Sequence, residues 1–168
     1  MRRLGWAAIS GGVLRIADAF TAQALPQGML AALYFATDVL LLAGIAGLWR
    51  QRRATLGLAG RIGLGVFVLG ILAIRASAFG IGSYRLGAAV ALLGLALYAA
   101  EALFGGARWA PGAWLAALAA GLAAAAGLVP DAMTALAGVA FGSGFVAAGL
   151  ETLYGAPQSA QTATSTVT

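Results

Sequence analysis

Arg15 and Asp18 stand three positions apart in GGVLRIADAF (residues 11–20), inside a run otherwise apolar enough to cross a membrane. Asp38, with Tyr34 one helical turn before it, and Arg75 interrupt two further apolar runs in the same way. Ionisable side chains at such depth cost roughly 2.5 to 3.5 kcal/mol each on insertion scales, so they pair with one another or serve a pathway. The chemistry open to them is proton or cation exchange at Asp18 and Asp38, and anion attraction at Arg15 and Arg75. Tyr34 adds a hydroxyl. The competing reading is a purely structural set of ion pairs, because two charges of each sign balance.

Other chemistries are removed by composition. The 168 residues contain no Cys and no His. A disulfide, a thiolate nucleophile, a histidine base, a histidine-ligated haem and a His/Cys zinc site are therefore excluded. Ser10, Ser77, Ser83 and Ser143 lack a histidine partner, and the glycine-rich runs carry no Walker lysine and no strand-to-helix context. The sequence names no cofactor and no metal, and catalysis is disfavoured.

Elements must position these residues, and hydropathy points to spans. Hydrophobic residues make up 62% of the chain and charged residues 9%, with a mean hydropathy of +0.94. A soluble domain carries about a quarter charged residues. The expectation is an all-α polytopic integral membrane protein: a six-transmembrane-helix bundle of three consecutive hairpins, filling residues 1–155. The spans fall at about residues 4–24, 28–48, 56–79, 84–104, 112–129 and 132–154, each near the roughly 20 residues that cross about 30 Å of hydrocarbon. The amino-terminal run superficially resembles a signal peptide, but its apolar stretch continues through Arg15 and Asp18, so it reads as a retained first helix. The fifth span is the shortest, and a five-span form follows if it is only interfacial. Residues 156–168 form a polar Ser/Thr-rich tail expected to be flexible.

Turn signals separate the spans: LPQG at 25–28, GIGSYR at 80–85, GGARWAPG at 105–112 and Pro130–Asp131. Arg2, Arg3, Arg50, Arg52, Arg53 and Arg108 all fall on one side of this arrangement, which the positive-inside rule assigns to the cytoplasm, with both termini inside and a bacterial inner membrane as the setting. Trp6, Trp49, Trp109 and Trp114 are expected at the same interface, and Tyr84 and Tyr154 at headgroup level at the ends of their own spans. The formal charge of +5 and pI near 10.8 are explained by this topology and not by nucleic acid, which would need a clustered basic surface.

Depth along the hairpins then aligns the charges. Arg15 precedes Pro26 by 11 residues and Asp38 follows it by 12, placing both about 17 Å from the turn at 1.5 Å per residue. They are the expected partners, with Asp18, Tyr34 and Arg75 one level further from the termini. At the opposite end Arg61, Glu101 and Glu151 form a second expected charge layer, with at least one Glu on Arg61. Glu101 and Glu151 sit in similar contexts, YAAEALFGGA and AGLETLYGAP, fifty positions apart. Small residues in the sixth span, Gly138, Gly142 and Gly144, are expected to serve close helix packing.

The favoured function is a compact transport or permeation protein for a small polar solute or ion, with proton coupling through the aspartates as one form. The alternative is a non-catalytic membrane subunit that stabilises a larger complex. Partners are the lipid bilayer and either a second copy or such a complex.

Overall fold

The computed structural model describes residues 2–21, 24–104, 109–125 and 132–154. The turns expected at 105–112 and at Pro130–Asp131, with Arg108, fall wholly or partly on residues 105–108 and 126–131, which lie outside the described residues, as do residues from 155 on. Six helices follow in order: α1 Arg2–Thr21, α2 Gln27–Arg52, α3 Leu58–Ser77, α4 Tyr84–Phe104, α5 Trp109–Ala125 and α6 Ala132–Tyr154. Four of them, α2, α3, α4 and α6, are long and apolar enough to cross a membrane. The protein is an all-α integral membrane protein.

The bounds of α4 and α6 are those expected from hydropathy, and two of the differences have physical causes. α2 continues through the arginine cluster to Arg52, because Arg and Gln are good helix formers and can extend a helix beyond its apolar stretch. α5 begins at Trp109 with Pro111 inside its first turn, where a missing N–H has no intrahelical partner to lose. At 17 residues, α5 is about 26 Å long.

The turn between α3 and α4 uses Gly80 and Gly82 at φ 78° and 85°, a left-handed conformation that costs glycine nothing. The helices it joins then approach through backbone contacts. A Cβ at Gly63 would stand 2.6 Å from the Gly94 carbonyl oxygen, and one at Gly87 would stand 2.7 Å from the Ile74 nitrogen. α1 and α6 meet in the same manner, with a Cβ at Gly12 falling 2.5 Å from the Gly142 oxygen. Lipid supplies little hydrophobic drive between helices, so such close approach is what dispersion packing requires. The expected packing role of Gly142 holds, and Gly144 lies under the Trp114 indole.

The helices close into a ring in the order α1, α2, α3, α4, α5, α6, with α6 returning to α1. The α2–α3 seam is the thinnest in that ring. Large apolar side chains such as Phe35, Leu69, Leu72, Leu93 and Leu136 face outward, which suits a hydrocarbon surround. The packed core occupies the half of the ring nearer the chain's amino terminus. Leu41, Ile45, Leu48, Leu64, Leu95 and Tyr98 belong to it.

Trp114 departs from its expected place. It is 1% exposed and packs edge-on against Tyr98 and Phe145, with ring centroids 5.8 and 5.2 Å away. Phe145 in turn touches Phe67 and Phe141 at 5.8 and 5.3 Å. These five rings make a plug across the middle of the bundle, whereas Trp6, Trp49 and Trp109 are exposed near helix ends as expected.

Candidate functional site

Beyond the aromatic plug, toward the turns that join α1 to α2 and α3 to α4, the ring encloses a cavity of about 520 Å³ to which all six helices contribute. That volume falls in the range of ordinary small-molecule sites. Its floor includes Phe141, and its rim reaches Ala78 and Tyr84 beside the α3–α4 turn. One side carries most of the polar groups, Arg15 from α1, Tyr34, Thr37 and Asp38 from α2, and Arg75 and Ser77 from α3, set among Leu41, Ile71 and Ile74. The facing wall is apolar and built from small or aliphatic residues, among them Ala88, Leu92, Ala117, Gly121 and Ala137.

Four of the five residues expected to form an intramembrane polar network thus line one cavity, and the fifth, Asp18, lies directly beside Arg15. Their pairing differs from the depth argument. Arg15 Nη1 donates to Asp18 Oδ2 at 2.6 Å, and Arg75 Nε donates to Asp38 Oδ2. Arg15 and Asp38 share the cavity without an ion pair. Residues three apart share a helix face, so Arg15 is neutralised on its own helix, and Asp38 is left to a cation arriving from α3.

Burial is uneven. The Asp18 side chain is 2% exposed, Asp38 16%, and the two arginines 30 to 32%. Two hydroxyl or carboxylate oxygens here are buried without a hydrogen-bond partner among the described residues: Asp18 Oδ1 and Thr37 Oγ1. A buried polar atom of that kind costs about 1 to 3 kcal/mol.

The second expected layer, at the other end of the bundle, contains Arg61, Glu101 and Glu151 but does not join them. Glu151 binds Arg52 at 2.9 Å. Glu101 accepts the backbone N–H groups of Gly57 and Gly60 at the start of α3. Arg61 donates instead to the carbonyls of Leu56 and Arg53, each at 3.0 Å. The expected contact of Arg61 with a glutamate is therefore wrong. The free N–H groups of a helix start attract a carboxylate as a guanidinium does, and Arg61 sits one position beyond them, where it can reach back to the preceding turn.

This makes Glu101 a cap supplied from another helix. Glu101→Gln keeps an acceptor but removes the charge, and is expected to cost about 1 kcal/mol. Thermal unfolding in detergent checks the loss, and amide exchange at Gly57 and Gly60 should rise selectively. Unchanged exchange at those two amides would show that the carboxylate is not the cap.

Among the described residues there is no cluster of three acidic side chains placed to hold a metal ion. No family model, curated protein or solved structure matches the chain.

Proposed function

We propose that the chain is a compact membrane transport or permeation protein whose solute occupies the cavity bounded by the six helices. One observation carries this reading: a cavity of about 520 Å³ has one wall of Arg15, Tyr34, Thr37, Asp38 and Arg75. The two ion pairs are closed contacts that need no open volume beside them. A polar wall on open volume is what a solute needs.

In this reading all six helices span the bilayer as three hairpins, with both termini in the bacterial cytoplasm. The concentration of arginine at the α1 start and the α2 end supports that orientation. The packed half of the bundle faces the cytoplasm, and the cavity faces the other side. Asp38 and Asp18 supply proton-responsive groups, and the aromatic plug is the barrier that must yield for passage.

The test uses purified protein in sealed vesicles, with a panel of small solutes. Ala88→Phe inserts a ring into the cavity from its apolar wall and is expected to abolish flux while leaving helicity unchanged. Single cysteines at Thr55 and Gly82, in a chain with none of its own, should react with impermeant reagent from opposite sides. Flux indifferent to Ala88→Phe, or obligate copurification with a larger complex and no solute movement, would overturn the reading in favour of a membrane subunit.

A further inference from the structure

We propose that the cavity takes an organic carboxylate with an apolar body, and that one proton enters with it and resides on Asp38. The inference rests on the cavity being a solute site and specifies the solute's class.

The two walls set the ligand's shape. A solute polar all round would lose hydration against Leu92, Ala117 and Phe141 with nothing returned. A bare inorganic ion would leave that wall unused. An amphipathic molecule satisfies both sides, with its head toward α1, α2 and α3 and its body toward α4, α5 and α6.

The head's sign follows from which charges face the space. Arg15, Arg75 and Asp38 line the cavity, while Asp18 is withdrawn behind Arg15 with only 2% of its side chain exposed. Each guanidinium engages its aspartate through a single nitrogen, Nη1 on Arg15 and Nε on Arg75. Further N–H donors remain on each, in the planar fork that matches a carboxylate. The Thr37 hydroxyl, 2% exposed and without a partner among the described residues, stands on the same wall. It offers a neutral donor beside the arginines.

Charge balance then requires the proton. Arg15, Arg75, Asp18 and Asp38 sum to zero, so an added anion leaves one uncompensated negative charge in a poorly hydrated site. The balance is restored when the ligand's carboxylate takes Arg75 and Asp38 takes a proton from water. Two cations then face two anions, Asp18 and the ligand, and no covalent bond changes other than the new O–H on Asp38. The groups facing Asp38 are Arg75 from α3, Arg15 with Asp18 behind it from α1, Tyr34 on α2 itself and Tyr84 from α4. Among the described residues, α5 and α6 present only Ala117, Gly121, Ala137, Gly138 and Phe141 to the cavity, none titratable.

The experiment is calorimetry on the full chain in nanodiscs, with empty nanodiscs as reference, using octanoate, octylamine and octanol in buffers of different ionisation enthalpy. Octanoate is expected to bind in preference to the other two with uptake of about one proton, and its affinity to fall about tenfold per pH unit on the alkaline side. Asp38→Asn mimics the protonated acid and should bind octanoate with no proton uptake and no pH dependence. Asp18→Asn removes one negative charge from the same four-residue set, so its proton uptake should fall as well. Arg75→Gln should lose octanoate, and Arg75→Lys should recover part of it, which separates lost recognition from lost folding.

Preference for octylamine, octanoate binding without proton uptake, or a pH dependence that survives Asp38→Asn would each overturn the proposal. Repeating the titration in anionic and in zwitterionic lipid separates the sources of an anionic head. Equal affinity in both supports a free acid, and loss of octanoate binding in anionic lipid means that a phospholipid headgroup is the occupant, which overturns it. Failure of all three probes while Ala88→Phe still blocks flux of some other solute sinks the carboxylate inference and leaves the transport reading standing.

Discussion

Asp38→Ala is expected to destabilise the folded bundle by about 3 kcal/mol, at the lower end of what removing one partner of a buried ion pair costs. The value sits low because Asp38 and Arg75 are 16% and 30% exposed to the cavity, which leaves some hydration on the orphaned guanidinium. The larger part of the penalty is the unpaired cation and not the lost attraction. The double variant Asp38→Ala/Arg75→Met should therefore recover most of the loss, since an apolar chain of similar length fills the site without charge. The location matters as well, because this pair bridges α2 and α3 at the thinnest seam of the ring. Unfolding equilibria of the two variants in bicelles decide the matter. If the double variant is no better than the single, the pair's attraction itself holds the seam and the desolvation argument is wrong.

Phe145→Ala carries the second large effect. The ring is 0% exposed and contacts Phe67, Phe141 and Trp114, so its loss removes the centre of the plug. Phe→Ala changes in packed cores cost about 3 to 5 kcal/mol. A value near 3 is expected here, because the unfolded state stays in lipid and only dispersion and the void count. The new space lies under Phe141, the floor of the cavity, so the cavity deepens toward the arginine-rich end. A cysteine at Ala148, 1% exposed, should be unreactive in the parent and reactive in the Phe145→Ala background. Equal protection in both would mean that the five rings are not what separates the two halves.

How much of this was legible beforehand divides along a physical line. Span limits depend on the length of an apolar run, which a linear chain displays directly, and α4 and α6 begin and end where hydropathy places them. Depth is nearly as legible, since rise per residue is constant. It brought Arg15, Tyr34, Asp38 and Arg75 to one region, where they line one cavity. Azimuth is not legible from depth. Two residues at equal depth meet only when their helix faces turn toward each other, and Arg15 had an acid three positions away that needed no docking at all. The same gap hid the aromatic plug: Phe67, Phe141 and Phe145 sit in three apolar stretches with nothing to mark a common centre, and Trp114 looked like an interfacial anchor because it stands near a helix start. The glycines of α6 were read as packing residues, but only the ring closure shows that they meet glycines of α1.

That closure joins the first helix to the last, and it bears on how the chain is built. A ribosome delivers α1 long before α6, so in the proposed six-span arrangement the glycine face of α1 meets its partner only after nearly all the polypeptide has emerged. During that delay an unescorted arginine would resist leaving the translocon. With Asp18 one turn away, α1 carries its own counter-ion from the start, whereas Asp38 has none until α3 delivers Arg75. One acid is matched within its own helix before any docking, and the other only across a seam formed later.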